Sequence, residues 1–504
     1  MGKRIKSLIV KSQLSITPIY LLIPFGLALL FRCWGIRTSS IWYDEALTIY
    51  LTKEPLINMV KMISAELNPP LWEILEWTIV RLLFPSEISY RLLSLISSLG
   101  LMVIAHKILV YFQASQARQF LTLSILALSP YQIWMAQDAR VYALMSFLYL
   151  LGFWFLIQRR WWGLFACCGL LLYSNSASVF YVLTLLVVGL ILYHQNISKL
   201  FGVGVGASLV YSPWFIGAFI NNLAGEYFTG YNIPPVNTHR FIEQMQLIFM
   251  IGTTSNHLVG DLLRLLNTFF VLVPLVTIGI IESSKIIRLF SKDQAGMVSM
   301  LLISILPLAL ITFTAWLYQN GHLILYRSLS PIAVPIILML AVCIKTHLKL
   351  STALLSILIV LNISYHFIWS PLEKGGYLKE VIQELSFQDK ENNVIFHATA
   401  TSLLPFQYYL KDASHYLLEA DLPAWFLVEP LQQAFGLRKI TPEQIPSDNY
   451  WVVWAKDAHL PLFVSQVMNE IVHEEQLVAK IEYPQMSPIY IYYVSQTTSS
   501  TNHP

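Results

Sequence analysis

Hydrophobic and polar residues occupy this chain in long alternating blocks. Apolar stretches, most of them of bilayer-spanning length, recur at 17–35, 89–111, 119–136, 141–158, 161–174, 177–194, 201–220, 262–283, 297–317, 328–344 and 350–369. They predict about 11 transmembrane helices, the fifth being the shortest. After Pro371 the blocks shorten. Val394–Phe396, His415–Leu418, Tyr450–Trp454, Leu477–Ile481 and Ile489–Val494 read as strands, and passages at 376–386, 402–411 and 460–471 read as helices. The expected fold class is therefore a polytopic α-helical membrane protein over residues 1–370, followed by a small C-terminal extracytoplasmic α/β domain over 371–504.

One polar interruption stands apart from the rest. Residues 36–88, between the first two spans, hold seven carboxylates: Asp44, Glu45, Glu54, Glu66, Glu73, Glu76 and Glu87. The whole of 1–370 holds only 13. Pro55 suits the first turn of a helix, and Leu56, Met59, Val60 and Ile63 follow at i, i+3, i+4 and i+7, the pattern of an interfacial helix. Pro69-Pro70 ends it and starts another through Leu71–Leu83, with Trp72 and Trp77. Loops this long are uncommon without a function, so this one reads as a catalytic loop with two helices framing Asp44. Residues 221–240 read as a mobile external loop, and 240–252 as an amphipathic piece leading into the next span.

Composition sharpens the picture. Of 504 residues, 56% are hydrophobic and 12% charged, about half the charged fraction of a soluble protein. Residues 1–370 carry 24 Lys+Arg against 13 Asp+Glu, and residues 371–504 carry 8 against 16. Fourteen bases line one side of the predicted spans against two acids, while the other side has ten bases and eleven acids. Basic loops stay inside, so the N-terminus is expected in the cytoplasm of a plasma (inner) membrane protein. The 36–88 loop and the C-terminal domain then lie outside. The first apolar run reads as a retained anchor rather than a cleaved signal. Cys33, Cys167, Cys168 and Cys343 give neither a disulfide framework nor a metal-ligand spacing. Nothing resembles a nucleic-acid-binding patch.

Three constellations carry candidate chemistry. Trp42-Tyr43-Asp44-Glu45 lies just past the first span, where Asp44 suits a general base for an acceptor hydroxyl, and where a solvated interfacial acid pair is the plainer alternative. Gln137-Asp138-Ala139-Arg140-Val141-Tyr142 ends the third span and contains the only acid between residues 88 and 225. Ionisable groups at membrane depth are expensive and mark function, though Asp138 and Arg140 could also simply cap a turn. Tyr326-Arg327 precedes Ser328-Leu329-Ser330-Pro331, and Arg91 opens the second span. Arginines on the outer side run against the charge bias and suit an anion, since guanidinium grips phosphate through two parallel hydrogen bonds. Asp44, Glu45 and Asp138 could instead hold a divalent cation. No His or Cys cluster supports zinc.

Taken in order, these pieces resemble the GT-C membrane glycosyltransferases, and most nearly the bacterial protein-mannosyltransferase/aminoarabinose-transferase-like group with the RgtA/B/C/D-like domain. The matching residues are Trp42-Tyr43-Asp44-Glu45, Asn68-Pro69-Pro70-Leu71, Arg91-Leu92-Leu93-Ser94, Gln137–Tyr142 and Tyr326-Arg327…Pro331…Pro335. The resemblance covers about residues 15–370. It implies transfer of a sugar from a polyprenyl-phosphate carrier to a glycan, lipid or protein acceptor on the extracytoplasmic face, with no cofactor required. By resemblance Asp44 and Asp138 match the family's first-loop and second-loop acids. Asn68 stands where many members carry a His or a phosphate-binding Lys, and Ser174-Asn175-Ser176 stands where many have a His. On this reading Asp44, Glu45 and Asp138 are catalytic; Arg140, Arg327 and Arg91 bind the donor phosphate; Asn68, Pro69, Pro70 and Tyr142 frame the loop.

Two other functions fit a polytopic chain. A polyprenyl-lipid flippase would show inverted repeats and broken midplane helices, and neither is visible. A receptor would need far fewer spans to anchor its outer domain.

Overall fold

A computed structural model describes residues 19–224 except 35, 38, 66 and 67; 238–248; 295–318; 324–343 except 326; 356–364; 378–385; 394–418 except 399; 438–441; 444–445; 450–455; 472; 477–481; 489–494; and isolated positions at 262, 265, 266, 269 and 353. Most of the expected loop at 221–240, most of the expected span at 262–283 and the expected helix at 460–471 lie outside these residues.

The described chain is largely helical. Helix α1 (Ile19–Trp34) leads into the expected loop, which holds three helices rather than two: α2 (Tyr43–Lys53), α3 (Leu56–Ala65) and α4 (Leu71–Leu83). The pattern foresaw α3 and α4 from their prolines and apolar spacing. It missed α2, whose helicity comes from burial on nearly every side rather than from an amphipathic stripe. Helix α5 (Glu87–Tyr111) starts at a reciprocal cap: Ser86 Oγ accepts from the Ser89 amide and Ser89 Oγ accepts from the Ser86 amide. Such caps satisfy backbone donors that the first turn leaves over.

The expected span at 119–136 is two helices, α6 (Gln116–Leu128) and α7 (Pro130–Ala136). Pro130 has no amide hydrogen, so it cannot serve the carbonyl four residues back. Arg32 of α1 fills that place, donating to Leu126 O at 3.0 Å, Ala127 O at 3.1 Å and Ser98 Oγ at 2.8 Å. Gln137 then reaches back to the carbonyls of Phe31 and Arg32. These contacts tie the end of α1 to the α6–α7 break.

Next come α8 (Tyr142–Ile157), α9 (Trp161–Leu172), α10 (Ser178–Leu192), α11 (Ile197–Ala224), α12 (Thr238–Leu247), α13 (Ala295–Leu317) and α14 (Ser330–Cys343). Among the described residues, three helical stretches are long and apolar enough to cross a membrane, Glu87–Tyr111, His194–Ile220 and Val298–Leu317, and five shorter apolar helices accompany them. One apolar core runs through α1 and α5 to α14, built on buried Tyr131, Tyr149, Phe153 and Tyr181.

The C-terminal part is an α/β unit, with α15 (Leu378–Leu385), β1 (Val394–His397), α16 (Ala400–Tyr409), β2 (Ser414–Leu418), β3 (Arg438–Ile440), β4 (Tyr450–Ala455), β5 (Leu477–Ile481) and β6 (Ile489–Val494). The sheet order is β3-β2-β1-β4-β6-β5, parallel through β4 and antiparallel at β6 and β5. Strand β3 went unseen in the sequence because three residues carry almost no periodic signal. The alternation in β1 and β4 sends Ile395, Trp451 and Val453 to one face and Phe396, Val452 and Trp454 to the other. Helix α16 does not pack only on its sheet. Its Leu403 and Leu404 join Ile41, Tyr43, Ala46 and Leu47 in a second core under the 36–88 loop.

Candidate active site

Trp42 is extended (φ −101°, ψ 175°) and precedes the first turn of α2, so Asp44 and Glu45 sit where the helix dipole favours acids. Consecutive helical residues diverge by ~100°, and the two carboxylates part accordingly. Asp44 faces a partly open surface with 18% of its side chain exposed. Glu45 is fully buried.

Glu45 receives Arg91 Nε at 2.8 Å and Nη2 at 2.7 Å, and its Oε1 also accepts from the Ala139 amide at 2.8 Å. Arg91 spends its other donors on the carbonyls of Ile36, Ser39 and Ser40. All five guanidinium hydrogens are taken, so Arg91 has none left for a phosphate. The two side chains expected to meet acceptor and donor phosphate thus meet partners within the protein: Glu45 the Arg91 guanidinium and the Ala139 amide, and Arg91 the Glu45 carboxylate and three carbonyls. Together they weld the Ile36–Ser40 entry, the start of α2 and the 137–141 turn into one body.

Asp44 forms an ion pair with Arg327, which lies just ahead of α14. The Arg327 guanidinium also rests over the Trp42 ring, 4.4 Å from its centroid. The Trp42 indole N–H donates to Asp138 Oδ1 at 3.0 Å. Asp138, Trp42, Arg327 and Asp44 thus form a continuous series. Asp138 is fully buried, with its Oδ1 holding the Trp42 indole. Tyr326 lies outside the described residues.

Arg140 approaches from the other side. Its Nη1 lies 3.3 Å from Thr48 Oγ1 and 3.5 Å from the Asp44 carbonyl, while its Nε is buried without a hydrogen-bond partner. Burial works against its charge, but Asp44, then Tyr142, Glu73 and Asp138, outweigh that and hold its pKa above the ordinary value. The backbone carrying it is fixed by Ser94, whose hydroxyl donates to the carbonyls of Asp138 and Arg140. The Tyr142 ring is buried, and its carbonyl accepts from Ser146 at 2.9 Å and Ser330 at 3.4 Å.

Sequence reading counted Glu73 and Glu76 as loop acids and gave them no role. Both lie on the buried face of α4 with Trp72 and Val80. Burial pushes the pKa of each upward; Arg140 tempers this at Glu73, whereas Glu73 and Glu45 add to it at Glu76. Neither oxygen of Glu76 has a hydrogen-bond partner. The available signal was their spacing, three apart on the face that also carries Trp72 and Val80.

Asn68 is exposed, while Pro69 and Pro70 are buried and set the entry to α4. The Leu71 amide donates to the Tyr173 carbonyl at 3.0 Å, which joins this turn to the end of α9. There, Ser174 and Asn175 bond within their own turn, to Leu171 O and from the Ala177 amide. Among the described residues, no group of three or more His, Cys, Asp or Glu side chains could hold a metal ion. In this arrangement Asp44 is paired with Arg327, and Asp138 Oδ1 accepts from the Trp42 indole.

No protein-family model matches the chain, and no curated protein matches it. Among solved structures, the chain is similar to the crystal structure of ArnT from Cupriavidus metallidurans in the apo state, at 12% identity and a TM-score of 0.43, over 94% of this chain and 97% of that one. It is similar to the same protein bound to undecaprenyl phosphate at 11% identity and a TM-score of 0.43, over 97% of this chain and all of the other.

Proposed function

We propose that this protein is an integral membrane glycosyltransferase that moves a sugar from a polyprenyl-phosphate carrier to an acceptor hydroxyl on the extracytoplasmic face. The observation that carries the reading is a partly exposed Asp44 paired with Arg327, with Arg140 beside it. The sequence resemblance to GT-C enzymes supports the same reading through the same residues.

The chemistry follows from charge. A sugar leaving from phosphate needs its developing negative charge met by fixed cations. The acceptor hydroxyl is a weak nucleophile and needs a base within hydrogen-bond reach. Arg327 and Arg140 supply the first and Asp44 the second. Attack on the face opposite the phosphate forms the new C–O bond as the C–O bond to phosphate breaks. The anomeric centre inverts, the acceptor proton goes to Asp44, and polyprenyl phosphate leaves as the anion.

The ion pair also sets an order of events. While Arg327 holds Asp44, the carboxylate is masked. A donor phosphate competes for the same guanidinium, and as it takes Arg327 it frees Asp44 for the acceptor. The test is release of polyprenyl phosphate by purified protein given a polyprenyl-phosphate sugar and a glycan acceptor. Lipid translocation without any release would favour a flippase and end this reading.

A further inference from the structure

The segment that carries Asp44 is held from a part of the chain more than 300 residues away. The Ile41 amide donates to the Tyr409 hydroxyl at 2.7 Å, and that hydroxyl lies 3.4 Å from Glu87 Oε1. The Lys379 amide donates to Ser40 Oγ at 3.0 Å, and Lys379 Nζ pairs with Glu87 Oε1 at 3.0 Å. Ser40 and Ile41 immediately precede Trp42, whose ring supports Arg327. Between these anchors, Leu403 and Leu404 are fully buried in the loop core. Ahead of the first helical turn, the amides of a stretch such as 40–42 have no helical carbonyl to meet, so they and the Ser40 hydroxyl need partners from elsewhere.

We propose that α15 and α16 of the C-terminal unit form a clamp on the catalytic loop, with Tyr409 and Lys379 as positioning residues for Asp44 and Trp42. This rests on the glycosyltransferase reading for its catalytic consequence, though not for the clamp itself. Tyr409 has a specific job: it occupies the Ile41 amide, so the turn into α2 has one geometry. Lys379 fixes the same turn through its backbone and ties it to the first turn of α5 through Glu87. The C-terminal unit is then a working part of the site, since without it the Ser40–Asp44 segment loses two of its bonds and much of its apolar floor. A positioning error of about 1 Å at a reacting group costs on the order of 100-fold in rate.

The experiment uses the full chain in detergent or nanodiscs and compares wild type with Tyr409→Phe, Lys379→Gln and, as a control within the same unit, Tyr416→Phe on β2. Amide hydrogen exchange is followed by mass spectrometry over 39–46 and, separately, over β1 and β4. The clamp predicts exchange over 39–46 faster by roughly 3- to 10-fold in Tyr409→Phe, the worth of one hydrogen bond, with β1 and β4 unchanged and Tyr416→Phe like wild type. Turnover with a polyprenyl-phosphate sugar should fall about 10-fold or more. Unchanged exchange over 39–46 in both variants overturns the clamp, as does an equal rise across β1 and β4, which would mean general loosening. Unchanged turnover in an active enzyme overturns the positioning role. A wild type that transfers no sugar sinks the glycosyltransferase reading instead, and the exchange data still decide the clamp.

Discussion

Asp44 and Arg327 are 283 residues apart in the chain and form an ion pair against the face of Trp42. That relationship joins the first interhelical loop to the start of α14. On the glycosyltransferase reading proposed above, it sets the acceptor's base beside a cation for the donor phosphate.

If Asp44 is the base, Asp44→Asn lowers turnover by ~10²–10⁴-fold. The same change leaves Arg327 without its carboxylate, so undecaprenyl phosphate should bind more tightly than to wild type. Single-turnover kinetics and lipid binding measured on one preparation check both. Weaker lipid binding in Asp44→Asn would contradict the masking of Asp44 by Arg327.

Arg140→Gln and Arg327→Gln should each weaken carrier-lipid binding by roughly 10–150-fold, the worth of a charge-assisted hydrogen bond. Arg→Lys restores only part of this, because a point charge replaces a planar fork. Wild-type lipid affinity in both Gln variants would move the phosphate site elsewhere.

Glu45→Gln and Arg91→Gln belong to a different class. Each breaks a fully buried pair and leaves its partner uncompensated, which costs about 3–5 kcal/mol. The expected signature is a lower Tm and poor yield in both single variants. An Arg91→Gln protein that melts like wild type but loses lipid binding would return Arg91 to the phosphate site.

Glu76 is buried with its pKa pushed well up, so the fold favours its protonated form. Its contribution is fully present below the unfolded carboxyl pKa and is lost as pH rises through the folded value. Glu76→Gln, which keeps the neutral shape at every pH, should therefore stabilise slightly, on the order of 1 kcal/mol or less, and more at pH 8 than at pH 5. A Tm gain that is larger at pH 5 would show that Glu76 is ionised in the fold.

His397 and His415 form a neutral relay in the C-terminal unit. The Leu410 carbonyl can only accept, so His415 Nε2 donates to it at 2.8 Å. His415 Nδ1 then accepts from His397 Nε2 at 3.0 Å, and His397 Nδ1 accepts from Ser402 at 3.2 Å. Burial lowers both pKa values, with His415 adding to the effect at His397. The unfolded chain binds these protons below about pH 6.5 and the fold resists them. Stability of this unit should be flat above that pH and fall below it, by up to ~1.4 kcal/mol per pH unit for each histidine. Melting at pH 7.5 and 5.5 checks this, and His415→Gln should shrink the drop; an equal drop in the variant assigns it to other groups.

The sequence alone determined the long-period features. Apolar blocks gave α1, α5, α6, α8 to α11 and the helices at 295–317 and 330–343, because burial and span length act through many consecutive residues. Pro55 and Pro69-Pro70 marked α3 and α4, since proline constrains its own backbone. Asp44, Asp138, Arg140 and Arg327 stood out because charge is rare among apolar neighbours. Only the tertiary structure could sort those charges into roles. Glu45 looks like its neighbour Asp44 in the chain, yet it is buried against Arg91 while Asp44 stays partly exposed, because a helical turn sends adjacent side chains in different directions. The expected span at 119–136 ran straight through Pro130, and neither the break there nor Arg32 as the partner for its freed carbonyls was read from the sequence. The clamp from Tyr409 and Lys379 was invisible for the same reason: hydrogen bonds between distant segments leave no periodicity behind.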